Sequence, residues 1–173
     1  MAIRKPRKLD ASGLYNYALG ALTRRALAAG ELRLRLRERA EREGDVESTI
    51  LRLKEYGFLD DKSFAELFAH SRLENQGQGR QRVLRDLRQR RVAPAVAEKA
   101  VEETFSGTNE MELIEEFLAR KFRNVPMAEY LADPNHLASA YRKLRYAGFG
   151  GGNAIRVLKR YTQRAEELEE GPD

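Results

Sequence analysis

The sequence predicts an all-α protein of three tandem three-helix repeats in an elongated, curved array. Three observations lead there. Apolar residues recur at three- and four-residue steps, as in Leu14, Ala18, Ala21 and Leu22, in Phe64, Leu67 and Phe68, and in Leu113, Phe117 and Leu118. That is the period of a helix with one buried face. Alternating runs of Val, Ile and Thr, the mark of half-buried strands, are missing. An apolar pattern also returns: Leu87, Val92, Ala97 and Val101 are matched in spacing by Leu144, Phe149, Ala154 and Leu158. Recurrence of this kind marks stacked units that complete one another's cores.

Helices are expected over 12–26, 30–42, 46–56, 61–75, 79–90, 94–105, 109–123, 135–147 and 152–164. Short breaks part them: "EGD" at 43, "GFLD" at 57, "NQGQG" at 75, "RRVAP" at 90 and "FSGTN" at 105. The second helix carries "LRLRLRER" at 32–39, an alternation that reads equally as a strand. A lone strand would have no partner, and Leu and Arg are good helix formers. A helix with Leu32 and Leu36 on one face, followed by Arg39 and Ala40, is therefore expected. The longest break, 124–135, holds Pro126 and Pro134 and is the place for a hinge. In threes, the helices give repeats at 10–58, 59–106 and 107–165, with flexible ends at 1–9 and 166–173.

Of 173 residues, 42% are hydrophobic and 34% charged, with 32 Lys and Arg against 27 Asp and Glu and a formal net charge of +5. There is no cysteine, which rules out disulfides and thiolate metal sites. The start, "MAIRKPRKLD", lacks an apolar signal core, and no run approaches the roughly 20 apolar residues that span a bilayer. A soluble intracellular protein is expected.

Catalytic readings fail one by one. Asp60 and Asp61, in "EYGFLDDKSF", could be the acid pair of a metal nuclease. No D-x-[DN] loop, no H-E-x-x-H and no second acidic motif accompanies them, and Glu66 lies one to two turns away. Gly57 instead suits the left-handed close of one helix, Asp60 the cap of the next, and Asp61 its first turn. His70 and His136 stand alone. "GFGGGN" at 148–153 lacks the Lys-Ser/Thr of a phosphate loop, and Asn153 or a glycine there would cap the next helix. No metal, cofactor or catalytic residue is expected.

Basic residues carry the positive signal. Arg80, Arg82, Arg85, Arg88, Arg90 and Arg91 crowd the middle repeat, opposed by Asp86. Arg142, Lys143, Arg145, Arg156, Lys159 and Arg160 repeat the theme in the last. In the first, Arg33, Arg35, Arg37, Arg39 and Arg42 are offset by Glu31, Glu38, Glu41 and Glu43. Spacing alone lets Arg85, Arg88 and Arg91 share a face. Arginine's planar fork suits phosphates and carboxylates alike, so nucleic acid and an acidic protein surface both remain open.

"LKEYGFLDDKSFAELFAHSR", then "GRQRVLRDLRQRRVAPAVAEKAV", resembles the signature of the RecX family, and "SAYRKLRYAGFGGGNAIRVLKRY" is similar to that family's C-terminal unit. The likeness covers about 10–164. Gly57, Phe58, Leu59, Asp60, Asp61, Phe64, Ala65, Gly79, Arg82, Leu84 and Leu87 match the motif. Arg91 stands where the family usually has Gly, Ala28 where it has Ser, and Gly150–Gly152 loosen the start of the last helix. The resemblance implies three three-helix units and a cytoplasmic, monomeric, non-enzymatic regulator of DNA repair, homologous recombination and the SOS response. Such proteins bind RecA filaments along the groove and suppress ATP hydrolysis and strand exchange; DNA binding is also implied. The alternative is a helical DNA-binding protein without a recombinase partner.

Overall fold

The computed structural model describes residues 8–168, and these are helical from end to end apart from short connections. Ten α-helices follow in order: α1 (Ala11–Arg24), α2 (Ala29–Arg39), α3 (Gly44–Glu55), α4 (Asp61–Gln76), α5 (Arg80–Gln89), α6 (Pro94–Phe105), α7 (Glu110–Lys121), α8 (Met127–Tyr130), α9 (Pro134–Ala147) and α10 (Gly151–Leu158). A 3-10 helix, Gln163–Leu168, ends the described chain. The one β-like contact among the described residues is a bridge between Leu9 and Ala40.

The chain divides into two compact units. Of the described residues, the first comprises 8–68 and 86–100, the second 69–85 and 101–168. In the first, Leu14 and Ala18 of α1, Leu32 and Leu36 of α2, and Val46, Ile50 and Leu53 of α3 form the core. The alternating stretch is helical because only Leu32 and Leu36 reach that core, while Leu34 is 43% exposed. Arg39 leaves the apolar face and lays its guanidinium over the Tyr17 ring at 4.6 Å. In α4 the buried positions are Ala65 and Ala69, and Leu67, expected on the apolar face, is 72% exposed. Phe64 and Phe68 stack on each other at 6.0 Å beside that alanine strip.

In the second unit, Ile114 and Leu118 of α7, Leu137, Ala140 and Leu144 of α9, and Ala154, Val157 and Leu158 of α10 surround Phe149. The 124–135 stretch, expected as a hinge, contains α8 and is pinned by Leu131, which is fully buried. Tyr130 stacks against the His136 ring at 4.2 Å and lies 5.4 Å from Phe122, tying both ends of the stretch to their neighbours. The last helix stops at Leu158 instead of 164. There Arg160 and Tyr161 donate to the carbonyls three residues back, tightening the final turn. Ala165 is thereby carried into the core. Of the ends expected to be flexible, Leu9 is held by bonds to Arg39 and Glu41, and Glu166–Leu168 belong to the 3-10 helix. Residues 1–7 and 169–173 lie outside the described residues.

The repeat is visible in backbone geometry. Val92 donates to the Leu87 carbonyl and Phe149 to that of Leu144, both at 3.2 Å, while Arg91 and Gly148 donate to the carbonyls three residues back. These paired bonds close α5 and α9 with the same left-handed motif, at φ +58° for Arg91 and +95° for Gly148. Each closure seats the start of an earlier helix. In the first unit a Cβ on Gly30 would lie 2.3 Å from the Arg91 carbonyl oxygen. In the second, one on Gly79 would lie 2.6 Å from that of Gly148. Gly79 and Gln81 also donate to the carbonyls of Ala147 and Gly148, so the end of α9 satisfies the free amides that open α5.

Candidate cationic interface

The acidic pair after Gly57 divides its work between two helices. Gly57 closes α3 in the left-handed region, Phe58 is 56% exposed and Leu59 turns into the core. Asp60 Oδ1 accepts from the amides of Lys62 and Ser63, and Oδ2 from the Ser63 hydroxyl at 2.7 Å. These bonds, led by the Ser63 hydroxyl, hold the Asp60 carboxyl below the ordinary range. Asp61 does more than supply charge to the first turn of α4: its Oδ1 accepts from the amide of Ala29 at 2.6 Å, capping α2. Ala28, at the N-cap of α2, has no side chain for that task. No group of His, Asp or Glu among the described residues could hold a metal ion.

Asp60→Ala and Asp61→Ala should each lower unfolding stability by about 1 kcal/mol, the cost of a lost cap. A carboxylate whose folded pKa is depressed contributes fully above its unfolded pKa and loses that contribution as pH falls through the folded value. Denaturant melts should therefore show the wild-type advantage over Asp60→Asn shrinking below the ordinary Asp range.

Most of the expected partner-binding cations turn out to be occupied. Arg88 pairs with Glu98 at 3.1 Å, Arg90 with Glu31 at 3.5 Å, Lys159 with Glu166 at 3.5 Å, and Arg160 with Glu115. Arg85 donates to the Tyr146 carbonyl at 3.3 Å and Arg145 to that of Phe149 at 2.8 Å. Arg80 lies over Phe105 at 5.9 Å, and Lys143 over Phe122 at 5.1 Å. Arg91, Arg142 and Arg156 are exposed and make no ion pair among the described residues. Arg85 belongs to the second unit, Arg88 and Arg91 to the first, so the three do not constitute one described surface. In the first repeat the arginines are similarly spent, as where Arg33 Nε meets Glu47 at 2.6 Å.

One place gathers cations without carboxylates. In the second unit a cleft of about 520 Å³ is lined by Gln76, Gln78, Arg82, Phe117, Lys121, Ser139, Arg142, Lys143, Tyr146 and Ala147. Helical spacing builds it: Ser139, Arg142, Lys143 and Tyr146 share a face of α9, and Phe117 and Lys121 stand one turn apart on α7. Arg82 lies over the Tyr146 ring at 4.5 Å. Lys121, Arg142 and Lys143 form no ion pair with any described residue. The sequence alone does not single out Lys121, Phe117 and Tyr146, because Lys121 stands beside Arg120 at the end of a largely acidic helix and the aromatics read as core. The four-residue step from Phe117 to Lys121 was the available signal. The "GFGGGN" turn opens α10, with Glu110 accepting from the Gly150 amide at 3.0 Å and from the Asn153 side chain.

Residues 60–101 match the family model described as RecX, second three-helix domain. A Regulatory protein RecX from Deinococcus radiodurans is 32% identical over 149 residues, which cover 85% of this chain and 67% of the relative. The chain belongs to the RecX family. A Streptomyces coelicolor RecX is 30% identical over 151 residues, 87% of this chain and 73% of that one. One from Halorhodospira halophila is 41% identical over 86 residues, spanning 50% of this chain and 53% of the relative's length. The crystal structure of RecX from Lactobacillus salivarius superposes with a TM-score of 0.68 at 20% identity, over 88% of this chain and 97% of that one. That likeness establishes the fold. No helix among the described residues of this RecX-family chain is long and apolar enough to cross a membrane.

Proposed function

We propose that this RecX-family chain is a non-enzymatic regulator that binds RecA–DNA filaments along their groove, inhibits ATP hydrolysis and strand exchange, and so modulates DNA repair and recombination. It works in the cytoplasm, as a monomer. The family membership carries this reading, since its curated relatives bear the name Regulatory protein RecX. Exposed cations that make no ion pair among the described residues support it: Arg91 in the first unit, and Lys121, Arg142 and Arg156 in the second. Individually each exposed charge contributes little. Several contacts made by one chain to a repeating polymer reinforce one another through effective concentration. The remaining sequence-predicted cations, such as Arg82, Arg88, Arg90, Arg145 and Arg160, act within the fold, and their charge reversal would confound binding with stability.

A second reading, a helical DNA-binding protein without a recombinase partner, draws on the same cations. Affinities for the assembled filament, for RecA alone and for bare DNA separate the two. The regulator binds the filament most tightly. Equal affinity for filament and bare DNA, both falling steeply with salt, would favour the second reading.

A further inference from the structure

We propose that the turn closing α3 is a protein-docking surface: Tyr56 and Phe58, with the Arg52 guanidinium beside them, seat on an apolar patch next to a carboxylate on the protein face of the filament. Only the identity of that partner rests on the regulator reading. Tyr56 and Phe58 are 62% and 56% exposed, with ring centroids 6.5 Å apart. Their backbone is fixed all the same. Tyr56 donates to the Arg52 carbonyl, Gly57 to that of Lys54, and Phe58 and Leu59 both to that of Leu53, while the Leu59 side chain is buried. A Cβ on Gly57 would meet nothing within 4 Å, so nothing covers the turn at that point. Large rings held still in solvent lose little freedom on binding, which suits them as anchors of an interface.

The guanidinium sets the chemistry of what docks. Arg52 lies over the Tyr15 ring at 4.3 Å and 5.7 Å from the centre of the Tyr56 ring. Tyr15 in turn packs against the core of the first unit, which anchors the cation. The Arg52 N–H groups reach no carboxylate or carbonyl among the described residues. Aromatic contact uses the face of a guanidinium and leaves its edge, a planar fork that matches one carboxylate. A strand of nucleic acid fits less well. Within 52–60, Arg52 and Lys54 are balanced by Glu55 and Asp60, and hydrogen bonds that hold the Asp60 carboxyl below the ordinary range keep it charged. No net positive field remains to gather successive phosphates. A partner protein needs only apolar surface and a single acidic side chain, and aromatics with arginine are the composition of interface centres. Two rings and one guanidinium cover far less than the roughly 800 Å² per partner of a stable pair. The surface therefore works as one contact among several on a polymer and does not join two copies of the chain.

Cosedimentation of the full chain with RecA filaments assembled on single-stranded DNA tests this. Tyr56→Ala with Phe58→Ala should weaken binding about thirtyfold, and Tyr56→Phe should bind as wild type. Arg52→Lys, which keeps the charge and loses the fork, should weaken it about tenfold. The loss in the double alanine variant should persist as salt is raised, because apolar burial is not screened. Its affinity for bare oligothymidylate should match wild type. Circular dichroism melts identify variants that fold normally. Should the double variant not fold, p-benzoylphenylalanine in place of Phe58 is the second probe, and irradiation should cross-link it to RecA. A normally folded double variant that sediments like wild type, an equal loss of affinity for bare DNA, or cross-links to the DNA alone or to nothing would overturn the assignment. Wild type failing to sediment with the filament would remove the regulator reading, and this partner with it.

Discussion

Gly148→Ala should cost about 3 kcal/mol or more of unfolding stability. Two penalties coincide at this position. Its φ of +95° is a conformation that L side chains rarely adopt, worth about 1–3 kcal/mol in strain. A Cβ would also stand 2.2 Å from the Arg82 amide nitrogen and 2.8 Å from its Cα. Backbone cannot yield as a flexible side-chain tip would, so relief requires α5 to move off the end of α9. Gly57→Ala is the internal comparison: φ is +73°, but a Cβ there meets nothing within 4 Å. It carries the conformational penalty without the collision, about 1 kcal/mol. Urea melts of the two variants should differ by at least 2 kcal/mol. Equal losses would show that the joint around Gly79 and Gly148 gives way without cost.

Phe149→Ala should be comparably severe, at about 3–5 kcal/mol. Phe149 is fully buried and meets Phe117 edge-on, with ring centroids 5.6 Å apart. It follows the closing turn of α9 and precedes α10, so its ring is set where α7, α9 and α10 converge. Val92 holds the matching place after α5 and is 4% exposed. Truncating that smaller side chain to alanine should cost less, since fewer buried methyl groups are removed. Thermal melts rank the pair, and a larger loss at Val92 would contradict the account of the second core.

Periodicity made most of the fold legible. Leu87, Val92, Ala97 and Val101, spaced five, five and four apart, are each buried, as are their counterparts from Leu144 to Leu158. That spacing is legible because a left-handed closure fixes how far apart two apolar residues must stand across it. The strand-like alternation at 32–39 resolved as a helix because its paired leucines, four residues apart, have a core to meet. Other features depended on distant partners. Leu67 shares a helical face with Phe64 and Phe68 by count, yet the α4 surface that packs is the one with Ala65 and Ala69. Nothing local marked Asp61 as the cap of α2, because the amide it serves lies 32 residues earlier.

The candidate interface was less legible than the fold for a physical reason. Charge density along a sequence counts cations without their partners. Arg88, Arg90 and Arg160 stand in the richest runs and are matched by Glu98, Glu31 and Glu115. Arg145 donates to the Phe149 carbonyl, while its near neighbour Arg142 lines the cleft. The departure at Arg91 likewise has local meaning, since a non-glycine side chain there occupies the left-handed closure of α5 at φ +58°.

The central claim is that cations released from structural pairing grip a recombinase filament. A DNA-dependent ATPase assay of RecA with the Arg142→Glu, Arg156→Glu double variant tests it most directly. Both side chains are exposed and make no ion pair among the described residues, so the variant should melt like wild type. The account predicts that half-inhibition shifts to about tenfold higher concentration or beyond, as expected when charges facing an anionic surface are reversed. A normally folded double variant that inhibits as well as wild type would contradict it.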